Sequence, residues 1–414
     1  MHVVGLITEY NPFHNGHLHH LQQSLHITGA EASVAVMSGH FLQRGEPALV
    51  DKWVRTEMAL AAGVDLVFEL PFPFACNSAP HFALGGVRSL AALGVVDALC
   101  FGSESGRLER LDRIAEILVA HQRTIEDETA VLLREGLNYP AARETVLKRH
   151  AALGKEDELG LPNNILGIEY LKALRIEQSG IRPDTIPRRG AGYHETHATG
   201  PIASASAIRA RLSRGEAVDA LIPESCGKIL AAALHRGHCA DSERLFLALQ
   251  AQLLQDEDRL QNIYMVEDGI DRRLSRAALE ARDFAEMAKA VKSRQWTLTR
   301  IQRMLMYVLM QARKGDMEAF VQSGPLYLRL LGHTAKGRSV LARMRRRKAL
   351  PVIGDPARSL QTLGRFYQDR PETRRLAEEM LRYDLRATRL YSLLCKSFPG
   401  EARNQDFYQP VRQV

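Results

Sequence analysis

The fold of this 414-residue chain is decided by the stretch Gly5-Leu6-Ile7-Thr8-Glu9-Tyr10-Asn11-Pro12-Phe13-His14-Asn15-Gly16-His17. An apolar run passes through a proline-containing turn into a segment of helical periodicity, so we predict a strand, a turn and a helix that opens at Gly16. His14 and His17 are three positions apart and therefore lie on the same side of that helix. Free N–H groups at a helix start attract anions. Imidazoles held there can donate hydrogen bonds to a phosphate in a transition state.

The tetrad His14-Asn15-Gly16-His17 has the form His-x-Gly-His, which a long sequence can also carry by chance. Its context favours a functional site, because a strand and a proline turn precede it and a helix follows. Gly16 permits close approach of the backbone to a ligand. In the alternative interpretation the histidines only cap the helix, and we predict such an incidental helical role for His19 and His20.

The first part of the chain alternates β-rich runs with helical patterns, as a parallel sheet with crossover helices requires. We predict strands at 2–7, 33–38, 64–70, 97–103 and 184–187, and helices at 16–28, 51–62, 83–93 and 165–177. The fold class is therefore α/β, with a doubly wound, Rossmann-like parallel sheet. Its ligand should lie beyond the carboxyl ends of the strands.

The second part of the chain differs in pattern and in charge. The length of the whole chain predicts two domains, at 1–215 and 216–414. Helical spacing recurs through the second, interrupted by a basic segment, so we predict an all-α domain there. Residues 1–215 hold 21 Lys and Arg against 24 Asp and Glu, whereas residues 216–414 hold 34 against 24. A polyanionic partner should therefore dock on the second domain. Neither a bilayer-spanning run nor a signal peptide is evident, so we expect a cytoplasmic protein.

A second candidate phosphate site is Ser204-Ala205-Ser206-Ala207-Ile208-Arg209. A serine that opens a helix leaves its hydroxyl and the first N–H groups free for an anion. Arg209 follows Ser206 by three residues, so its guanidinium can return to the same anion. A plain serine cap beside a surface arginine is the alternative, and the histidine motif favours the functional interpretation.

Further candidates follow the ends of predicted strands. Gly102 ends the fourth strand, where a base or ribose can pack on backbone, although an ordinary turn is the alternative. Asn163 precedes a helix and can either cap it or contact a nucleotide. Arg188 and Arg189 follow the fifth strand, and because adjacent residues of an extended chain point to opposite sides, we expect one of them to reach the ligand.

Other cations leave two interpretations open. Arg44, Lys52 and Arg55 follow the second strand and could bind pyrophosphate, a second substrate or RNA, or form surface salt bridges. The run 343–348 is the densest basic segment and suits the phosphates of RNA, with a solvated loop as the alternative. The five cysteines are scattered, which disfavours a structural metal site, and we assign no metal ligand.

These motifs resemble the nucleotidyltransferase superfamily with the His-x-Gly-His motif. The run Gly5 to His17, with Ser38-Gly39-His40-Phe41, Gln43-Arg44-Gly45-Glu46-Pro47 and Phe101-Gly102-Ser103-Glu104, is similar more specifically to the tRNA(Met) cytidine acetate ligase family. In the second signature Ala203 and Ala205 stand where that superfamily often has hydroxyls, and we choose Ser206 as the phosphate-binding serine.

The resemblance implies a two-step reaction. Acetate attacks the α-phosphate of ATP to give acetyl-adenylate, and the acetyl group passes to N4 of the wobble cytidine of elongator tRNA(Met). It implies His14, His17, Ser206 and Arg209 as catalytic residues, and Mg²⁺ carried by the ATP phosphates. The residues implied in ATP binding are Ile7, Thr8, Glu9, Tyr10, Asn11, Pro12, Phe13, His14, Asn15, Gly16, His17, Leu18, His19, His20, Gly102, Asn163, Arg188 and Arg189.

Two other functions compete with this one. A small-molecule adenylyltransferase of coenzyme metabolism would share the histidine motif, but it needs no basic surface of RNA size. A non-catalytic RNA-binding protein on the same fold would not need His14 and His17. ATP consumption with acetate, measured with and without tRNA, separates the three.

Overall fold

A computed structural model describes residues 1–137, 139–151, 160–188, 202–255, 257–267, 269–293, 296–397 and 403–414. Its strands are β1 Val3–Thr8, β2 Ala32–Ser38, β3 Leu66–Leu70, β4 Ala98–Ser103, β5 Arg182–Pro187, β6 Leu328–His333, β7 Val352–Ile353 and β8 Arg412–Gln413.

The helices of the first part are α1 Asn15–Thr28, α2 Lys52–Ala61, α3 Phe72–Ala75, α4 Ala79–Leu93, α5 Leu108–Ala120, α6 Gln122–Arg134, α7 Tyr139–Ala151, α8 Pro162–Ile176 and α9 Ala205–Ser213. Those of the second part are α10 Glu224–His235, α11 Ser242–Leu253, α12 Glu257–Leu260, α13 Ile270–Glu280, α14 Phe284–Val291, α15 Leu298–Met310, α16 Lys314–Ser323, α17 Ala335–Met344, α18 Ser359–Phe366, α19 Pro371–Leu394 and α20 Gln405–Tyr408.

The sheet has the strand order β5-β4-β1-β2-β3-β6-β7, and β8 pairs with β6. Strands β1 to β5 pair in parallel, and β6 is antiparallel to β3. The predicted α/β class with a parallel-dominant sheet is confirmed, and each of the five predicted strands is present with ends shifted by one or two residues. Since β1 and β4 are neighbours at the centre, the carboxyl end of β1 lies where a doubly wound sheet binds its ligand.

Apolar residues of the strands alternate between two cores because successive side chains point to opposite faces. Val34 and Val36 of β2 pack with α4, α8 and the helices of the second part, whereas Ala35 and Met37 pack with α1, α2 and α10. Both faces of the sheet are therefore covered by helices, as a parallel sheet requires.

The second part is mainly helical, as predicted, but it is not wholly α. Strands β6, β7 and β8 come after residue 216 and extend the same sheet. The run Leu328–His333 is too short for its periodicity to distinguish a strand from a buried helix, and its pairing partner β3 lies far away in sequence. The division at 1–215 and 216–414 stays a prediction.

A buried polar cluster joins the two parts of the chain. The Lys52 Nζ lies 2.8 Å from a Glu69 carboxylate oxygen and 2.8 Å from Asp406 Oδ1, with its side chain 0% exposed. Arg329 of β6 lies 3.3 Å from the same Asp406 oxygen. Burial lowers the pKa of Lys52, but Asp406 and Glu69 raise it more, so the net pKa lies above the ordinary value. The cluster holds β3 and α2 against β6 and α20.

Two of the cations with open interpretations, Lys52 and Arg55, are buried in the structure. Lys52 is committed to the buried carboxylates. Arg55 is also fully buried, and its guanidinium donates to the carbonyl oxygens of Glu9 at 2.7 Å and Ser38 at 3.0 Å. Neither cation lines a ligand site, and neither forms a surface salt bridge, so both alternatives for these two residues are wrong.

Candidate active site

The turn between β1 and α1 is shaped by its own side chains. The Asn11–Pro12 bond is cis, and Tyr10 has a φ of 50°. The Asn11 Oδ1 accepts a hydrogen bond from the Leu49 N–H at 2.7 Å, which ties the turn to the loop after β2. Helix α1 begins at Asn15, one residue before the predicted start, with His14 as its N-cap.

The cap fixes which nitrogen of His14 carries a proton. Its Nδ1 accepts a hydrogen bond from the Gly16 N–H at 3.0 Å, so the proton of a neutral ring lies on Nε2. Burial lowers the pKa of His14 to about 3, and Arg188 and Arg209 lower it further. His14 is therefore a neutral imidazole that offers an Nε2–H donor.

His17 lies against His14 one turn along the helix. The two rings stack with centroids 3.8 Å apart. Burial first, and then His14, His20 and Arg188, hold the pKa of His17 well below its usual range. The His17 Nδ1 is buried and has no hydrogen-bond partner among the described residues. Because buried polar atoms normally have a partner, a bound ligand could supply the missing hydrogen bond.

The second candidate phosphate site, Ser204 to Arg209, lies beside the His14 and His17 pair. Ser204 caps α9 by accepting from the Ala207 N–H at 3.1 Å, and Ser206 stands exposed in the first turn of the helix. Arg209 donates to the Asn11 carbonyl oxygen at 2.9 Å and to Glu46 Oε1 at 2.9 Å. Ser204 therefore caps the helix, and Arg209 links α9 to the turn between β1 and α1.

Gly102, Arg188 and His20 meet at the carboxyl end of β4. A Cβ at Gly102 would lie 3.5 Å from Arg188 Cγ and 3.9 Å from His20 Cδ2, so the glycine leaves a shallow surface between the two side chains. Burial lowers the pKa of His20 to about 4, with Arg188 and His19 lowering it further. His20 is therefore a neutral imidazole beside Gly102 and Arg188.

Asn163 lies in the first turn of α8, where the N-cap is Leu161. The Asn163 side-chain amide donates to Glu104 Oε1 at 2.6 Å, and the Asn164 N–H donates to Glu104 Oε2 at 2.7 Å. The Glu104 carboxylate therefore does the capping that the sequence assigns to asparagine, and it places Asn163 at the edge of the site.

One cleft of about 1100 Å³ connects these groups, and its size suits a nucleotide with a second substrate. From the histidine turn and the second signature its walls include Glu9, Tyr10, Asn11, His14, His17, Ser204, Ser206 and Arg209. From elsewhere they include Gln43, Arg44, Glu46, Ser78, His81, Glu104, Arg143, Asn163, Glu169, Lys172, Arg188, Met265, Thr297, Thr299, Arg300 and Arg303. With Glu126 and Glu144, which also line it, the cleft has seven Lys and Arg side chains and six Glu side chains, so its charges are nearly balanced.

The comparisons with known proteins agree with this geometry. Residues 1–406 match the family model described as HIGH Nucleotidyl Transferase. The tRNA(Met) cytidine acetate ligase of Syntrophotalea carbinolica is 53% identical over 99% of this chain and 98% of its own length. The enzyme of that name from Caldanaerobacter subterraneus is 40% identical over 99% of both chains.

The chain belongs to the tRNA(Met) cytidine acetate ligase family. Solved structures of Thermotoga maritima TmcAL share its fold over the full length of both chains. The form bound with alpha-thio ATP has a TM-score of 0.92, the apo form has 0.94, and each is 34% identical to this chain.

Residues of the histidine stretch divide between the cleft and the core of this tRNA(Met) cytidine acetate ligase family member. Phe13 and Tyr10 are buried, Ile7 packs against Gly86, and Asn15 donates to the Ala220 carbonyl oxygen at 2.9 Å. Not among the cleft-lining residues are Ile7, Thr8, Pro12, Phe13, Asn15, Gly16, Leu18, His19, His20 and Gly102. Arg189 lies outside the described residues.

The sequence reasoning missed cleft residues of α6, α7 and α8, among them Arg143, Glu169 and Lys172, and two further sets at helix starts. The first is the start of α4 with His81, and the second is the start of α15 with Thr297, Thr299, Arg300 and Arg303. A helix start at Thr297 is legible in sequence, but no spacing reveals that it faces a strand end more than two hundred residues earlier.

The basic run lies elsewhere in this family member. Arg345, Arg346 and Arg347 are exposed after α17, and the Arg343 guanidinium donates to the Met1 carbonyl oxygen. Met1 precedes β1 and His14 follows it, so the run is at the opposite end of the sheet, about 20 Å from the cleft by the rise of the strand. Its role in RNA binding stays a prediction.

Two kinds of feature are absent from the described residues. None of their helices is long and apolar enough to cross a membrane. No group of three His, Cys, Asp or Glu side chains among them is placed to hold a metal ion.

Proposed function

We propose that the protein activates acetate with ATP and transfers the acetyl group to N4 of the wobble cytidine of elongator tRNA(Met). The observation that carries the proposal is the neutral His14 and His17 pair at the start of α1, in one cleft with Ser206 and Arg209. The family, its named relatives and the likeness to a protein bound with alpha-thio ATP support the same activity.

The first step makes acetate reactive. A carboxylate is a poor electrophile until its oxygen joins a good leaving group, and an acetate oxygen that attacks the α-phosphorus of ATP achieves this as pyrophosphate leaves. The protein must align the reactants and neutralise the charge that grows on the phosphate oxygens. The His14 Nε2–H can donate a hydrogen bond to those oxygens, and the cap at Nδ1 fixes its direction. The N–H groups at the start of α9, beside Ser206 and Arg209, form a second anion site.

ATP fits the polar groups that the site leaves unpaired. The buried His17 Nδ1 and His20 Nε2 lack partners among the described residues and can hydrogen-bond a phosphate, ribose or base. Mg²⁺ would neutralise phosphate charge, carried by phosphate oxygens and water. We assign it no protein ligand.

The tRNA partner is supported by charge and by the shape of the cleft. The second part of the chain carries 34 Lys and Arg against 24 Asp and Glu, and it supplies Arg300 and Arg303 to the cleft wall. We propose that 1–215 holds the ATP site and that 216–414 provides most of the tRNA surface. Because ATP and tRNA are both present in the cytoplasm, the proposed reaction is a cytoplasmic one.

The test is a transfer assay with labelled acetate. Purified protein, ATP and elongator tRNA(Met) should yield AMP, pyrophosphate and labelled tRNA, with the label on the wobble base. The matched control is the same tRNA with uridine at that position, which lacks the amino group and should stay unlabelled. Pyrophosphate release without label on any tRNA would contradict the proposal and favour a small-molecule adenylyltransferase.

Gly16→Ala is expected to lower the rate of acetate-dependent pyrophosphate release by about 10²-fold, because a displacement of the reacting groups by roughly 1 Å costs that much. A Cβ at Gly16 would lie 2.8 Å from His14 Cε1 and 3.0 Å from His14 Nδ1, so the ring must leave its cap position. Gly227→Ala is the control, since a Cβ there meets nothing within 4 Å. A variant at Gly16 with normal activity would show that the orientation of His14 is unimportant.

A further inference from the structure

His81 lies in the first turn of α4 and lines the same cleft as His14 and His17. Its Nδ1 is 3.1 Å from Asn77 Oδ1 and 3.3 Å from Ser78 Oγ. The orientation of Asn77 is determined by its other contacts, because its Nδ2 donates to the Pro73 carbonyl oxygen at 2.8 Å and its Oδ1 accepts from the Ser78 N–H at 2.7 Å. The Asn77 oxygen is therefore the acceptor, and His81 Nδ1 carries the proton.

This tautomer leaves a lone pair on the other ring nitrogen. Nδ1 faces inward to Asn77, and Nε2 is not one of the buried unpartnered atoms of the described residues, so it is open to the cleft. Neutral His81 thus presents a proton acceptor to the cleft, whereas His14 presents a proton donor. The two histidines have opposite tautomers, each fixed by a contact within its own helix start.

The charges around His81 keep it neutral. Burial lowers its pKa most. Glu169 opposes this by raising it, Arg303 and Lys172 each lower it by less, and the net pKa lies below the ordinary value. Glu169 and Lys172 face it from α8, and Arg303 faces it from α15. An imidazole in this setting is in its basic form at neutral pH.

The carboxylates that line the cleft among the described residues have partners of their own, Glu126 with Gln122 and Glu144 with Lys148. Glu104 accepts from Asn163 and Asn164, Glu46 pairs with Arg209, Glu9 accepts from the Gln43 N–H, and Glu169 pairs with Arg143 and Lys172. The Lys172 Nζ lies 2.9 Å from Glu169. Burial raises the pKa of Glu169, but Arg143 and Lys172 together hold it below its usual value. A weakened carboxylate base contrasts with an open imidazole one helix away.

We propose that His81 Nε2 accepts the proton of the N4 amine when the acetyl group is transferred to the cytidine. The proposal deepens the proposed function and rests on it. The amine of cytidine is a weak nucleophile because its lone pair is conjugated with the ring. As N4 bonds to the acyl carbon it gains positive charge, the bond from that carbon to the phosphate oxygen breaks, AMP leaves, and the N4 proton passes to His81. The lobe of the cleft around His81, Arg303 and Thr299 then receives the base, and the His14 lobe receives the adenylate.

The experiment separates the two half-reactions in His81→Gln and His81→Ala. Acetate-dependent exchange of labelled pyrophosphate into ATP, which needs no tRNA, should stay within about twofold of the unmodified protein. Single-turnover transfer to tRNA should fall by about 10²-fold or more, as loss of a general base does. The loss should appear in the transfer rate at saturating tRNA and not in the tRNA concentration needed for half-saturation. His235→Ala, an exposed histidine on α10, is the matched control.

The pH profile gives a second readout that a structural role would not move. In the unmodified protein the transfer rate should fall as the pH is lowered and His81 takes up a proton. The fall should occur below pH 6.5, because the pKa of His81 is lowered. The rate of His81→Gln should not show this fall. Normal transfer by the variants, or an equal loss of both half-reactions, would overturn the role of His81 alone. Absence of transfer by the unmodified protein would overturn the proposed function and this role with it.

Discussion

Replacing His14 by asparagine should reduce acetyl-adenylate formation by about 10²–10³-fold, the usual cost of removing one donor from a developing oxyanion. Asparagine is a good N-cap, so it can still accept the Gly16 N–H and keep the helix start. Its side chain is shorter than imidazole, so its amide N–H donors do not reach the position of the His14 Nε2–H. Acetate-dependent pyrophosphate exchange measures the loss, and circular dichroism checks that the helix content is unchanged.

Two further variants sharpen this result. His14→Ala removes the cap as well as the donor, so it should lose the same activity and also about 1 kcal/mol of stability. His26→Ala, at the exposed far end of the same helix, should change neither quantity. If His14→Asn kept full exchange activity, His14 would be a helix cap and the phosphate would be bound by other groups.

Lys52→Met should lower the free energy of unfolding by about 3–5 kcal/mol, because removal of one partner leaves buried charges uncompensated. Glu69 and Asp406 would both lose their contact with Nζ at 2.8 Å in a site closed to water. Methionine fills nearly the same volume, so the loss reports charge and not packing. Urea denaturation followed by fluorescence of the two tryptophans measures it.

A double variant tests the cause. Lys52→Met with Glu69→Gln removes one charge of each sign and should recover part of the lost stability. Lys228→Met breaks a fully exposed ion pair with Glu224 and should leave the midpoint of the transition unchanged. Should Lys52→Met unfold at the same urea concentration as the unmodified protein, the buried cluster would not hold the two parts together.

The features that could be predicted from sequence are local ones. The turn at Asn11-Pro12 and the helix that follows are written in contiguous residues, so the strand, the helix start and the histidine pair were all found to within one residue. The serine motif was found for the same reason, although the cap is Ser204 and not Ser206. Family resemblance added the substrates, which no spacing of residues reveals.

What could not be predicted depends on contacts between distant segments. Strand β6 was missed because its pairing with β3 is not encoded in its own short apolar run. Lys52 and Arg55 looked like free cations because their partners, Asp406 and several backbone carbonyls, become neighbours only in the folded chain. His81 has no motif at all, and its chemistry depends on the side-chain orientation of Asn77.

The buried cluster can form only late in translation, because its residues lie far apart in the sequence. Lys52 and His40 are synthesised early, whereas Asp406 and Thr388 come near the end, and His40 and Thr388 are 348 residues apart. During translation the histidine turn can emerge and fold locally, but Lys52 of α2 has only Glu69 and lacks Asp406 as its second carboxylate partner until α20 is synthesised. A message broken near its end would therefore yield a chain that has every residue of the ATP site and still cannot close its interior. Such a chain is a substrate for proteolysis and not a slow enzyme.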